Sequence, residues 1–117
     1  MTFLQNHDQV GNRALGERLN HLADPKKLDL ARAGLLLAPQ IPMLWMGEEW
    51  SASAPFLFFV DFAPDEELNK AVRDGRRREF KSFAAFADDT GKIPDPTERE
   101  TFAASKLDWS ERERSPH

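Results

Sequence analysis

The first apolar positions, Phe3 and Leu4, follow Thr2 and run through Gln5 into the polar cluster Asn6-His7-Asp8-Gln9, a pattern that predicts a short strand ending in a polar tip. From Val10 to Ala23 no hydrophobic period holds, and Gly11, Asn12, Gly16 and Asn20 interrupt the run, so a long loop with at most a helical turn is expected there. Asp24-Pro25 then opens a helix. The Asp side chain can accept a free amide, and Pro at the first helical position has no amide to satisfy. Leu28, Ala31, Leu35 and Ala38, with Leu30, Gly34 and Leu37 beside them, make a wide apolar face at helical spacing that Pro39 stops. Such a face predicts a largely buried helix. The continuous apolar run Ile41-Pro42-Met43-Leu44-Trp45-Met46, closed by Gly47, predicts a strand covered on both sides.

Strand, loop, helix and strand make a parallel unit with a right-handed crossover, so the expected fold class is α/β. Both strands run into polar or charged clusters, Asn6-His7-Asp8 and Gly47-Glu48-Glu49-Trp50, and parallel sheets bind ligands at those carboxyl ends. The chain divides at about residue 64. Residues 1–64 form this unit and residues 65–117 a helical excursion. Asp65-Glu66-Glu67 opens a helix with acids in its first turn, where they complement the helix dipole. Leu68, Val72, Phe80, Phe83 and Phe86 trace its broken apolar stripe, Gly75 marks a place for a bend, and Asp88-Asp89-Thr90-Gly91 ends it. Ile93-Pro94-Asp95-Pro96 reads as an extended linker, Thr97 to Leu107 as a short last helix, and Glu111 to His117 as a frayed end.

Composition narrows the function without naming it. The 117 residues suffice for one ordinary domain, and 40% apolar with 31% charged residues fits a globular chain. No apolar run approaches the ~20 residues of a bilayer span. The absence of cysteine removes disulfides, thiol nucleophiles and thiolate metal sites. With no basic and apolar leader at Met1, a cytoplasmic location is expected. A net charge of −4 gives no general attraction for nucleic acid or anionic membranes, and a small polar or neutral partner fits better.

Several familiar patterns carry no chemistry. Gly11 to Gly16 has the spacing of a phosphate loop, but Glu17-Arg18 stands where Lys and then Ser or Thr are needed. His7, Asp8 and His21 lack the short spacing of a metal site, so neither metal nor cofactor is expected. Arg73, Arg76, Arg77, Arg78 and Lys81, interleaved with Asp74 and Glu79, read as a solvated, salt-bridged face. Asn6-His7-Asp8 differs. A carboxylate accepts hydrogen bonds from hydroxyl groups and an adjacent imidazole can donate to them, which is the pattern carbohydrates present. The bland reading of Asp8 is a cap on the following loop.

Phe3 to Arg13, with its Asn6-His7-Asp8 core, resembles the fourth signature region of the alpha-amylase family of glycoside hydrolases. Pro39 to Trp50, Pro55 to Phe59, Gly75 to Phe80 and Ser105 to Trp109 extend the likeness toward the trehalohydrolases of that family, with Trp45 and Ser51 standing where Phe and Gly are usual. The resemblance implies an incomplete part of a (β/α)8 barrel, spanning its seventh and eighth strands. It also implies a retaining hydrolase that cuts the α-1,4 bond next to the trehalose end of malto-oligosyltrehalose. Asp8 then matches the transition-state-stabilising aspartate and His7 the hydroxyl-binding histidine, while Asn6, Gln9, Arg13, Glu49 and Trp50 are candidate substrate contacts. A retaining hydrolase needs two further carboxyl groups about 5 Å apart, which the family carries on its fourth and fifth strands. Neither matches a residue here, Glu48 and Glu49 included. The isolated chain is therefore expected to be inactive, and to self-associate through open strand edges. A branching enzyme or amylase, a carbohydrate-binding remnant and a protein-interaction module are the alternatives.

Overall fold

The computed structural model describes residues 1–81 and 93–114. Among these described residues six helices follow one another, α1 (His7–Gly11), α2 (Leu19–Leu22), α3 (Pro25–Leu37), α4 (Glu66–Lys81), α5 (Arg99–Ala104) and α6 (Glu111–Arg114), with a 3-10 turn at Glu48–Trp50. The expected helix after Asp24 forms as its caps dictate. Asp24 Oδ1 accepts the Lys27 amide at 3.1 Å, Pro25 takes the first position, and the helix stops at Leu37 before Pro39.

The two expected strands do not form a ladder among the described residues. What remains of the parallel pairing is one bridge between Thr2 and Pro42. There the Thr2 amide donates to Ile41 O at 3.0 Å and the Met43 amide donates to Thr2 O at 2.8 Å. The bridge straddles Pro42, which has no amide to give. The next rung would use the Trp45 amide, but that group donates to Glu48 Oε2 at 2.9 Å instead. On the other side Gln5 turns inward, its side-chain oxygen accepting the Leu19 amide at 3.0 Å, and the chain coils at once into α1. The polar tip is thus the first turn of a helix, and the expected loop from Val10 to Ala23 holds the end of α1 and all of α2.

α3 is less buried than its apolar face predicts. Only Leu28 and Leu35, seven residues apart on one stripe, are buried, while Leu30 and Leu37 are 75% and 86% exposed. Its apolar face is wide, and a helix in contact along one stripe can bury only that stripe. The radius of gyration, 16.3 Å against about 13 Å for an ordinary domain of this length, reflects the same incomplete closure. Burial is concentrated instead in Val10, Leu28, Leu35, Trp50, Ala52, Leu57, Phe80 and Ile93.

α4 runs unbroken through Gly75. Its basic residues form the expected solvated, salt-bridged face only in part, since Arg77, Arg78 and Lys81 are exposed while Arg76 is buried. Arg76 is 8% exposed, its burial drawing the guanidinium pKa down against the opposing pull of Glu79. Arg73 and Arg77 both reach Asp95, at 2.5 and 3.6 Å, and Arg73 also donates to Thr97 Oγ1 at 2.7 Å. The misreading has a physical cause. Arg76 lies seven residues after buried Asn69 and four before buried Phe80, on the inward stripe of the helix, where its charge is held by backbone rather than by water. Phe83, Phe86 and the expected end of this helix lie outside the described residues. The last expected helix forms over Arg99–Ala104, and the expected frayed end begins with α6, whose Glu111 accepts hydrogen bonds from the Ser53 amide and hydroxyl.

Two glycines are required by backbone geometry. Gly16, at φ +60°, carries the turn whose carbonyl accepts the Phe56 amide at 2.9 Å, and a Cβ there would lie 2.5 Å from Phe56 O. Gly47, at φ +81°, would bring a Cβ to 2.7 Å from both Ala52 Cβ and Leu107 Cδ2.

Gly16→Ala is expected to destabilise the fold by about 2 kcal/mol or more through the left-handed backbone and the clash with fixed main chain. Gly34→Ala, whose new methyl meets nothing within 4 Å, is expected to stabilise α3 by about 0.5–1 kcal/mol. Denaturant midpoints of the two variants check both signs. A second test is acid unfolding. Burial alone raises the Asp95 pKa, but hydrogen bonds from the Thr97 amide and hydroxyl and the charges of Arg73 and Arg77 outweigh it and hold the pKa below the usual carboxylate value. A depressed folded pKa adds stability that is present above the unfolded pKa and lost as pH falls through the folded one. Asp95→Asn should therefore cost about 2 kcal/mol near neutral pH and nearly nothing below the folded pKa, so the two unfolding curves should converge on the acid side.

Candidate functional site

The polar cluster of residues 6–13 is organised by α1. Asn6 is its N-cap, with extended backbone and a side-chain oxygen that accepts the Gln9 amide at 3.0 Å. Asp8 falls in the first helical turn, where its charge complements the exposed amides. The His7 Nε2 and Asp8 Oδ1 atoms lie 3.2 Å apart, with both side chains mostly exposed. At the other end, Arg76 from α4 donates through one nitrogen to Gly11 O at 2.8 Å and to Arg13 O at 2.9 Å. The short helix is thus capped at one end by its own Asn and at the other by a distant Arg.

His7 and Asp8 border a hollow of about 280 Å³ whose other walls are Gly11, Asn12 and Phe56 to Phe59. A chain of rings builds one side of it. The His7 ring lies 5.9 Å from Trp45, Trp45 meets Phe56 edge-on at 5.1 Å, Phe56 meets Phe59 at 5.8 Å, and Phe59 meets Phe102 of α5 at 5.1 Å. Edge-to-face rings add rigidity beyond their buried area. The hollow therefore combines a carboxylate, an imidazole and an aromatic wall, groups suited to hydroxyls on one side and the apolar face of a sugar ring on the other. Among its lining residues there is no second carboxylate.

The remaining candidates are placed elsewhere. Gln9 and Arg13 line a separate hollow of about 350 Å³ with Gln5, Val10 and Leu22, and Arg13 faces Glu17 at 3.4 Å. For Gln9 helical geometry explains the division, since it follows Asp8 on α1 and neighbouring residues on a helix point about 100° apart. Glu49 and Trp50 belong to a third region, beside Trp109 and Arg112. Trp50 is 6% exposed and packed against Trp109 with ring centres 5.2 Å apart, so its ring serves the core. Glu48 is buried and holds the Trp45 amide, while Glu49 is exposed. Among the described residues no group of three His, Asp or Glu side chains is arranged to hold a metal ion. No described helix is long and apolar enough to cross a membrane.

Two residues that organise the site escaped the reading of the sequence, Arg18 and Arg76. Arg18 is fully buried and donates to Ala54 O and Met46 O, both at 2.6 Å, which fixes the turn carrying Glu48 to Trp50. Burial lowers its pKa, and Glu48, Glu49 and Glu111 act in the opposite direction. For Arg18 the sequence holds no local signal. For Arg76 the signal was its place on the apolar stripe of α4.

Comparison with known proteins bears on the whole chain. It is 50% identical over 115 residues to a malto-oligosyltrehalose trehalohydrolase of Deinococcus radiodurans, which covers 97% of this chain and 18% of that protein. Proteins of the same name from Arthrobacter ramosus and Saccharolobus solfataricus are 48% and 45% identical over 117 and 109 residues, covering 100% and 93% of this chain and 20% and 18% of theirs. This chain thus spans about a fifth of the length of the curated relatives it matches. A crystal structure described as that of a putative alpha amylase from Salmonella typhimurium is 52% identical and superposes with a TM-score of 0.78, over 94% of this chain and 18% of that one. No family model matches.

The cap on α1 gives this site its own test. Asn6→Ala should cost about 1 kcal/mol of local helix stability and raise hydrogen exchange at the Gln9 amide several-fold, while amides of α3 are unchanged.

Proposed function

From a chain that is, along nearly its whole length, a segment of the malto-oligosyltrehalose trehalohydrolase type within the alpha-amylase family, we propose that these residues supply one part of a glycoside hydrolase site. In this reading the substrate is malto-oligosyltrehalose, the bond cleaved is the α-1,4 bond next to its trehalose end, and the product is trehalose. The observation that carries the proposal is the His7 and Asp8 pair, 3.2 Å apart at the rim of an aromatic hollow.

The chemistry follows from charge. Glycoside cleavage passes through an oxocarbenium-like transition state with positive charge on the sugar ring. A fixed carboxylate that binds the ring hydroxyls favours the distorted, charged ring over the relaxed one, and so lowers the barrier rather than merely tightening binding. Asp8 has this role and His7 binds a neighbouring hydroxyl. Trp45 and Phe56 brace the His7 ring. Gln9, Arg13, Glu49 and Trp50 are assigned at most to contacts away from the reacting bond, since they line other hollows. Retaining hydrolysis also needs a nucleophile and an acid/base about 5 Å apart, and the lining of the Asp8 hollow contains neither. The 117 residues by themselves are therefore proposed to lack hydrolase activity.

The test is trehalose release from malto-oligosyltrehalose, measured on the complete gene product carrying these residues and on the isolated 117 residues. The complete protein should release trehalose, Asp8→Ala should reduce kcat about a thousandfold, and the isolated residues should release none. Release of maltose or transfer to a branch point in place of trehalose would move the assignment to another activity of the same family. An Asp8→Ala protein of unchanged kcat would remove Asp8 from the mechanism.

A further inference from the structure

We propose that Arg76 is the positioning residue of this site: it fixes α1 from outside, and with it the direction of the Asp8 carboxylate. The inference rests on the function proposed above. Four observations carry it. The guanidinium is buried, at 8% exposure. It gives two hydrogen bonds from one nitrogen, to Gly11 O at the last residue of α1 and to Arg13 O just beyond the helix, at 2.8 and 2.9 Å, the latter carbonyl also accepting the Gly16 amide. Its carbon centre is clamped 4.8 Å from the ring centres of both Phe58 and Phe80. Phe58 is itself a wall of the hollow that Asp8 borders.

A helix of five residues does not hold itself in water, because nucleation costs more than so few hydrogen bonds return. Asn6 ties down its first turn, and Asp8 lies between that cap and the Arg76 tether, its carboxylate 3.2 Å from His7 Nε2. Without the tether the C-terminal half of α1 is free to unwind and the carboxylate turns with it. A planar guanidinium suits this place because it is weakly hydrated, stacks on the two phenyl rings and spans two carbonyls at once, whereas an ammonium does none of these together. Arg76 touches no substrate in this arrangement and acts through α1.

The experiment compares Arg76→Lys, Arg76→Met and Phe80→Leu in the complete gene product, each by amide hydrogen exchange and by kinetics on malto-oligosyltrehalose. Phe80→Leu thins the same packing while leaving the guanidinium and its carbonyl bonds in place. Both Arg76 variants should raise exchange at the Val10 and Asn12 amides, which close α1 on Asn6 O and Asp8 O, at least tenfold, with the Leu28 amide of α3 unchanged. They should lower kcat about a hundredfold, the scale of a misplaced catalytic group. KM should change less than about twofold, since Asp8 acts in the transition state. Lys, which keeps the charge, should recover part of the loss, and Phe80→Leu, which loosens one side of the clamp but keeps both carbonyl bonds, should lower kcat far less than Arg76→Met.

Equal exchange increases in α1 and α3, or equal kinetic losses in the Arg76 and Phe80 variants, would reduce Arg76 to a general stability residue and overturn the proposal. So would loosened α1 amides with unchanged kcat in a protein that Asp8→Ala inactivates. If the unaltered protein releases no trehalose, the assigned function fails, and the exchange data alone then decide whether Arg76 holds α1.

Discussion

A guanidinium with no exposure to water sets the terms for this structure. Arg18 is 0% exposed, and placing a charge there costs several kcal/mol of lost hydration. The cost is offset by two short bonds to Met46 O and Ala54 O and by the field of Glu48, Glu49 and Glu111. Because the compensation comes from backbone carbonyls, it works only with the chain from Met46 to Ala54 in one conformation. Gly47 in the left-handed region is part of that conformation, and so is Ser51, at φ +56°, held by Arg32 through its hydroxyl and by Asn20 through its carbonyl. A glycine at residue 51 would adopt this backbone without strain, whereas serine needs these contacts to keep it there.

The same logic recurs on the other side of the molecule. Side chains satisfy main-chain groups that no ladder reaches: Glu48 takes the Trp45 amide where the next rung would have been, Gln5 the Leu19 amide, Ser105 the Leu57 amide and Arg76 the Gly11 carbonyl at the end of α1. Buried backbone polar groups must find partners. This exchange is how the described residues meet that demand with a single parallel bridge. It also ties the two halves of the chain on either side of residue 64 together, since Arg76 and Ser105 reach back to residues 11, 13 and 57.

Those ties determine what the polar cluster can present. His7 and Asp8 share a hollow with four successive aromatic and aliphatic residues, while Gln9 and Arg13 face another and Trp50 is spent on the core. The grouping suits a ligand with hydroxyls on its edge and an apolar face, and it presents one carboxylate to that ligand rather than a pair. One carboxylate can stabilise a charged ring, but it cannot complete retaining hydrolysis. The proposed division of labour, with Asp8 as electrostatic partner and the nucleophile elsewhere, follows from this count of groups around the hollow.

The sequence by itself determined whatever depends on neighbours within a turn or two. Asp24-Pro25 started α3 and Pro39 followed its end, Glu66 and Glu67 opened α4, and the residue types in Asn6-His7-Asp8 pointed to hydroxyl chemistry, because caps, dipoles and side-chain chemistry are local. Apolar patterning also marked Leu28 and Leu35 for burial. It could not mark Leu30 and Leu37 for exposure, since burial depends on what stands opposite and not on how apolar a residue is. Tertiary structure alone decided that the run from Ile41 to Met46 pairs at one point only, that a first-turn Asp replaces a strand-end Asp, and that Arg18 and Arg76 go inside. Each of these outcomes turns on a partner far along the chain, 28 residues for Arg18 with Met46 and 65 for Arg76 with Gly11. Only the folded chain brings those partners within bonding distance.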